Sequence, residues 1–298
     1  MNTISKKDLA NNLLYDTIET LHKVLSQLNI PIYIVGATAR DIIIKLYHED
    51  EAKRKTLDLD IAIAIHDWSV FDKVQEALLK NNFVKHPANQ KFIYKGADGK
   101  NDYEVDIVPF GDVAEDEKIK WRPNGIPVMS VKCFEDVMSH PTDVLIENIP
   151  IKIASLCGQF LIKLDAWLDR NEKEHKDASD MLYILSKYYD IKILNDEDSE
   201  TINDVDLDSD DNTDGLMLYG AQWLAGDLKK MLSTEHLLFY VNMISDELKN
   251  GPKSRLLTHF IEYMDAEDDS NYDNIFKVWT NIRDILQIEL TYRQNDKN

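Results

Sequence analysis

The stretch that most constrains the fold is TLDLDIAIAI, residues 56–65, in which every second residue is a large apolar one. This alternation has the period of a β-strand, so one face of the segment is apolar and packs against a core. The other face carries Asp58 and Asp60, whose Cα atoms lie about 7 Å apart at the rise of a strand. Two such carboxylates repel each other unless a positive group lies between them. The segment therefore predicts a strand whose polar face meets water, a cation or a basic side chain.

A second acidic strand is predicted at YEVDIVPF, residues 103–110, where Glu104 and Asp106 alternate with apolar residues. If this strand lies beside the first, Asp106 joins Asp58 and Asp60 on one face. Three carboxylates supply the hard oxygen ligands that magnesium prefers, and two magnesium ions can hold a phosphate and activate an attacking oxygen. The alternative is that the aspartates are ordinary solvent-facing residues of an edge strand.

A glycine turn precedes these strands in IYIVGATARD, residues 32–41. Gly36 ends a β-rich run and begins a helical stretch, so a phosphate could approach its backbone at a helix N-terminus. Thr38 can donate its hydroxyl, and Arg40 can reach phosphate oxygens or stabilise the turn. The alternative is a helix-initiating turn in which Thr38 acts only as a cap.

The remaining pattern predicts an α+β fold in two domains, a mixed α/β unit at 1–150 and a helical unit at 151–298. In the first unit we expect helices at 7–28, 39–47 and 67–83, strands at 30–35 and 126–131, and a hairpin formed by 90–95 and 102–110. In the second we expect helices at 153–170, 176–189, 215–232, 234–248, 254–266 and 274–290.

Charge and composition limit the classes of function. The net charge is −20, which argues against a protein that coats nucleic acid nonspecifically. No run of about 18 apolar residues occurs, and the first residues lack a signal-peptide core, so we expect a cytoplasmic protein without a membrane span. Cys133 and Cys157 have no metal-type spacing and are expected to be free thiols.

Much of the acidic excess lies in residues 195–214, which contain ten acidic residues and no basic one. Such a run favours a solvated linker or long loop. A calcium loop is the alternative, but the glycine comes last and no glutamate closes the loop.

The ordered pieces VGATARD, TLDLDIAI and EVDIVPF resemble the nucleotidyltransferases of the DNA polymerase β-like superfamily, in which a small-residue turn is followed by a DxD strand and a third acidic strand. The resemblance implies that Asp58, Asp60 and Asp106 bind two magnesium ions and are catalytic. It also implies that the turn, here Gly36 and Ala37 with Thr38, cradles a nucleoside triphosphate. Ala37 departs from the glycine or serine of the family, so no serine hydroxyl is available there.

The segment FLIKLDAWLDRNEKEHKDASDMLYIL is similar to the AbiEii/AbiGii toxin-type nucleotidyltransferases, on Lys163, Arg170, Lys176, Asp177 and Asp180. The resemblance implies that Lys163 faces the nucleotide phosphates and has a catalytic role, and that Arg170 and Asp180 belong to the same site. Independently of it, Lys163 and Arg170 are seven residues apart and share a helix face, which a solvated charged face would also show.

The expected activity is therefore magnesium-dependent transfer of a nucleoside monophosphate from an NTP to an acceptor hydroxyl. The toxin-like resemblance implies tRNA or another RNA as acceptor and a cognate antitoxin as partner. A strip of basic residues could form an RNA path or be ordinary surface. Its members are Lys91, Lys95, Lys118, Lys120 and Arg122. A small acceptor such as an antibiotic or a sugar, or a non-catalytic nucleotide-binding module of the same fold, remains an alternative.

Overall fold

The computed structural model describes residues 2–47, 58–96, 101–195, 213–266 and 268–296. Within these ranges it combines a mixed eight-stranded sheet with ten α-helices, which confirms the α+β class. The chain divides into two compact units, Met1–Ser155 and Leu156–Asn298. No described helix is long and apolar enough to cross a membrane. The acidic segment predicted as a loop or calcium site lies, apart from its ends, outside the described residues.

The strands are β1 (Asn2–Ile4), β2 (Tyr33–Val35), β3 (Asp58–Ala64), β4 (Phe83–Lys85), β5 (Lys91–Lys95), β6 (Asp102–Phe110), β7 (Lys118–Lys120), β8 (Val128–Ser130), β9 (Pro141–Ile146) and β10 (Ile149–Ala154). The helices are α1 (Asn12–Gln27), α2 (Gly36–Tyr47), α3 (Trp68–Leu79), α4 (Phe134–Met138), α5 (Leu156–Arg170), α6 (Lys176–Asn195), α7 (Thr213–Met231), α8 (Thr234–Lys249), α9 (Arg255–Ile261) and α10 (Asn271–Asn295).

The large sheet has the strand order β1-β9-β10-β2-β3-β6-β5-β4. The pairs β1–β9, β10–β2 and β3–β6 are parallel, and the other neighbours are antiparallel. The inner strands β3 and β6 are thus neighbours, and the predicted hairpin is formed by β5 and β6. The strand predicted at 126–131 is β8, which pairs with β7 outside the large sheet.

The predicted helical start of the second half at 151 is wrong, because β9 and β10 form a hairpin that extends through residue 154. Ile149, Ile151 and Ile153 are buried, and the polar or prolyl residues between them are not, which is the period of a strand. A six-residue segment is too short for periodicity to separate it from the start of a helix. Glu147, with φ of +55°, makes the turn that precedes β10.

The first predicted helix also begins later than expected. Residues Lys6–Asp8 form a 3-10 turn, and α1 starts at Asn12 because the Asn11 side chain accepts a hydrogen bond of 2.8 Å from the Leu14 amide. The apolar face of α1 is buried in the first unit. The start of α1 forms part of the wall of a cavity described below.

Every element described in the second unit is helical, and each of the six predicted helices is present with shifted ends. Its core contains Trp279, which contacts the rings of Phe160 and Phe260 at centroid distances of 5.9 and 5.4 Å. Aromatic burial of this kind supplies much of the stabilisation of a helical core. Both cysteines are buried thiols rather than disulfide partners, and the thiol state is as predicted.

Candidate functional site

The two acidic strands lie side by side. In the parallel pairing of β3 and β6, Asp60 is opposite Asp106 and Asp58 is opposite Glu104. Leu59 and the other alternate residues of β3 are fully buried, so the four carboxylates occupy the opposite face of the sheet. We call Asp58, Asp60, Glu104 and Asp106 the carboxylate face. The prediction that Asp106 joins the other two aspartates is confirmed, and Thr56 and Leu57 of the predicted strand lie outside the described residues.

The Asp106 carboxylate lacks some of the hydrogen bonds that would stabilise its charge. Its Oδ1 atom is buried and has no hydrogen-bond partner. Burial raises the pKa of Asp106, and the charges of Asp58 and Glu104 raise it further, whereas Lys91 and His86 lower it. An ionised carboxylate in this setting lacks the stabilisation that a nearby cation would provide.

Lys91 is a basic residue that lies beside the Asp106 carboxylate. It lies opposite Asp106 in the antiparallel pairing of β5 and β6, so both side chains are on the same face. The Lys91 ammonium group forms an ion pair with Glu104 and lies 3.9 Å from Asp106 Oδ1. These carboxylates raise the pKa of Lys91 against the opposing effect of desolvation, the Glu104 hydrogen bond being the largest cause.

The glycine turn packs directly on the carboxylate face. Gly36 has φ of +68°, and Val35 beside it pairs with Asp60 across β2 and β3. A Cβ atom on Gly36 would overlap Asp60 Oδ2 and lie 3.0 Å from Asp60 Cγ. Glycine is therefore required here both by backbone conformation and by space. The turn begins α2, so the positive end of that helix lies beside a carboxylate.

Ala37 is partly exposed beside Gly36, but the next two predicted phosphate ligands are buried. Thr38 is 3% exposed, and its hydroxyl donates a 3.0 Å hydrogen bond to the Asp58 carbonyl oxygen. Arg40 is 4% exposed and donates to Asp41 Oδ1 from Nε and Nη2, at 3.1 and 3.0 Å. In this arrangement both residues brace the turn against β3 and within α2, rather than presenting polar atoms to a ligand.

A cavity of about 970 Å³ opens beside Asp58 and Glu104. Its wall includes Tyr103, which is buried and whose pKa is raised to about 12, first by burial and then by the charge of Asp58. The other lining residues come from the start of α1, from β6 and from the β5–β6 turn; they are Asn11, Asn12, Leu13, Asp16, Gly96, Asn101 and Asp102. The cavity is lined by carboxylates and amides and can hold a ligand of substantial size.

The predicted residues of the second unit form a polar cluster around Asp177, which is fully buried. Arg170 donates to both Asp177 oxygens, Nε to Oδ2 and Nη2 to Oδ1, each at 2.7 Å. Lys163 lies 3.5 Å from Asp177 Oδ1 and 2.7 Å from Asp180 Oδ2. Lys163 and Arg170 do share one face of α5, as predicted. Asp177 raises the pKa of Arg170, chiefly through the hydrogen bonds.

The basic strip proposed as an RNA path is largely engaged with carboxylates. Lys91 pairs with Glu104, and Lys95 pairs with Asp102. The two remaining pairs in this strip are Lys120 with Glu115 and Arg122 with Asp72. Cations that are already paired have less free charge to offer a phosphate backbone.

The donors of the carboxylate face fit magnesium, because the ligands are carboxylate oxygens and Asp106 Oδ1 is buried and unsatisfied. In the described part of the chain, no three acidic, histidine or cysteine side chains already stand in a metal-holding arrangement.

Two residues beside the predicted aspartates, Glu104 and Lys91, were not predicted to belong to this site. Glu104 was recognisable from the alternation of β6, which places it on the face of Asp106. The position of Lys91 opposite Asp106 depends on the register of the β5–β6 hairpin. The length of the connection at residues 96–101 does not by itself reveal that register. No protein-family model matches this chain, and no curated protein matches it significantly. The geometry of the site itself therefore carries the functional interpretation.

Proposed function

We propose that this protein is a magnesium-dependent nucleotidyltransferase with a polymerase β-like arrangement in its first unit. The observation that carries the proposal is that a glycine turn contacts a pair of facing carboxylates. Asp60 and Asp106 are directly opposite on neighbouring parallel strands, and the Gly36 turn packs on Asp60. A glycine turn at a helix N-terminus beside paired carboxylates is suited to hold a triphosphate and its metal together.

In the proposed reaction an acceptor hydroxyl oxygen attacks the α-phosphorus of a nucleoside triphosphate. The bond from this phosphorus to the oxygen that bridges the α- and β-phosphates breaks, and pyrophosphate leaves. Asp58 and Asp60 would hold both magnesium ions, and Asp106 would complete the site at the attacking oxygen and accept its proton. Bound magnesium supplies charge neutralisation and activation of that oxygen. The protein contributes chiefly by positioning the two substrates.

The backbone of Gly36 and Ala37 would cradle the triphosphate at the start of α2. Thr38 and Arg40 would act from behind it, by bracing the turn, because their polar groups bond within the protein. A phosphate-neutralising role is also implied for Lys163, whose ammonium group pairs with Asp180 within its own unit. This last role rests on the resemblance to the toxin-type enzymes.

The acceptor has two candidate classes. The toxin-like resemblance favours tRNA or another RNA 3′ end, with a cognate antitoxin protein as partner. The cavity beside Asp58 favours a small acceptor, such as an antibiotic or a sugar, because carboxylates and amides line it. Such a lining repels a phosphodiester backbone and accepts hydrogen bonds from hydroxyl or amino groups.

The experiment is to incubate the protein with magnesium and NTPs labelled at either the α- or the γ-phosphate. Total tRNA is the acceptor in one arm, and hydroxyl-bearing small molecules are the acceptors in the other. A nucleotidyltransferase moves the α-label and not the γ-label onto the acceptor, whereas a kinase does the reverse. Metal-dependent NTP binding without transfer of either label to any acceptor would instead support the non-catalytic module, which the Ala37 departure favours.

A further inference from the structure

The carboxylate face raises a physical question of its own. Four acids lie in register on two neighbouring strands, and without a metal their mutual repulsion opposes the pairing of β3 and β6. The structure places the ammonium group of Lys91 among them. The charges of Asp58, Glu104 and Asp106 all act on Lys91, so it interacts with three of the four acids of the face.

The position of Lys91 differs from that of an ordinary surface ion pair. Its side chain is 21% exposed, and its ammonium group lies between the exposed Glu104 and the half-buried Asp106. The contact with Glu104 is close, whereas Asp106 Oδ1 at 3.9 Å is beyond hydrogen-bond distance. Lys91 thus lowers the repulsion near Asp106 without occupying the coordination position of its unsatisfied oxygen.

We propose that Lys91 is a built-in counter-cation of the carboxylate face, held in place by its ion pair with Glu104. In the metal-free protein its charge stabilises the face, and a bound metal ion takes over this role beside Asp106. This inference rests on the proposed function for the identity of the metal ligands. Lys91 is a positioning residue in this account, because it acts through Glu104 and Asp106.

The chain offers a matched control on the same strand. Lys95 is also on β5, lies directly opposite Asp102 and forms an ion pair with it, but belongs to a pair outside the carboxylate face. Both side chains of that pair are about half exposed. Lys95→Met therefore removes a cross-strand ion pair of the same type without changing the charge beside Asp106.

The experiment measures manganese binding to the full chain by electron paramagnetic resonance, without nucleotide, and thermal unfolding in chelator and in excess manganese. Wild type, Lys91→Met, Lys95→Met and Asp60→Asn are compared. Removal of a positive charge a few ångströms from the metal ligands should tighten manganese binding about tenfold in Lys91→Met. Lys95→Met should bind as wild type does. In chelator Lys91→Met should unfold at a lower temperature than Lys95→Met, and excess manganese should remove that difference.

The inference is overturned if Lys91→Met binds manganese as wild type does or more weakly, or if its loss of stability is the same with and without manganese. A plain structural ion pair would give that second result. Failure of the metal assignment is distinguishable, because Asp60→Asn would then bind manganese as wild type does. Failure of the enzymatic proposal leaves the manganese and unfolding results readable, since neither depends on turnover.

Discussion

At the scale of single residues, the contact of Gly36 with Asp60 links the turn to the acidic strand. The glycine has a left-handed backbone and leaves no room for a Cβ atom beside the Asp60 carboxylate. The requirement for a small residue was readable from the sequence, because a glycine ended a strand and began a helix. The partner was not readable, because it depends on the pairing of β2 with β3.

We expect Gly36→Ala to reduce transfer activity by roughly a hundredfold or more, because the added methyl group displaces Asp60 and a misplaced catalytic group is costly. The positive φ adds a backbone strain of about 1 kcal/mol to the free energy of folding. Initial rates of label transfer and thermal unfolding measure the two effects.

Gly125→Ala is the control for strain alone, since Gly125 has φ of +73° and a Cβ atom there would meet only Lys120 Cβ at 4.0 Å. It should lose a similar amount of stability and retain activity. Equal activity losses in both variants would contradict a specific role for the contact with Asp60.

Replacement of Asp106 is expected to have opposite effects on thermal stability and on transfer activity. Burial raises its pKa, so the ionised form destabilises the metal-free protein at neutral pH relative to a neutral side chain. Asp106→Asn should therefore unfold in chelator at the same or a higher temperature than wild type. It should also lose roughly a thousandfold or more in transfer, because a metal ligand and proton acceptor is gone.

The exposed Asp112 is the matched control, and Asp112→Asn should change neither property much. A marked loss of stability in Asp106→Asn, measured in chelator, would show that the carboxylate is satisfied within the protein and has no need of a cation.

At the scale of elements, the periodicity of the sequence predicted features that depend on a single segment. It missed features that depend on the pairing of two segments. The alternation of β3 placed Asp58 and Asp60 on one face, and the helices of the second unit followed from their apolar spacing. The β9–β10 hairpin was missed because its strands are short and apolar. Asp177 was noted only as a member of a motif, yet its burial makes it the centre of the α5–α6 contact.

We expect Asp177→Asn to lower the stability of the second unit by about 3 kcal/mol, because it leaves the Arg170 guanidinium without its buried carboxylate. Asp246→Asn breaks the exposed pair with Lys249 and should leave the unfolding temperature nearly unchanged. Chemical denaturation followed by circular dichroism compares the two variants. Equal small effects would mean that the Asp177 cluster contributes little to the fold.

At the scale of the whole molecule, the sequence indicated a mixed α/β half and a helical half, and the chain divides between Ser155 and Leu156. The carboxylate face and the Gly36 turn belong to the first unit, and Lys163 belongs to the second. The order of eight strands could not be read from the sequence, because it is set by pairings between residues far apart in the chain.

A ligand that binds only the folded protein stabilises it by mass action, by about 2.7 kcal/mol at a hundredfold excess over its Kd. We therefore expect magnesium and an NTP together to raise the unfolding temperature, and chelator to abolish the shift. The double variant Asp58→Ala plus Asp60→Ala should show no shift. An equal shift in the double variant would mean that the nucleotide binds elsewhere.

The most direct test of the central claim is transfer of α-phosphate label by wild type and by the Asp58→Ala plus Asp60→Ala variant, with Asp112→Ala as the folded control. Wild type and the control should transfer label to an acceptor in magnesium, and the double variant should fall by roughly a thousandfold or more. If the double variant transfers label as well as wild type does, the carboxylate face is not the active site.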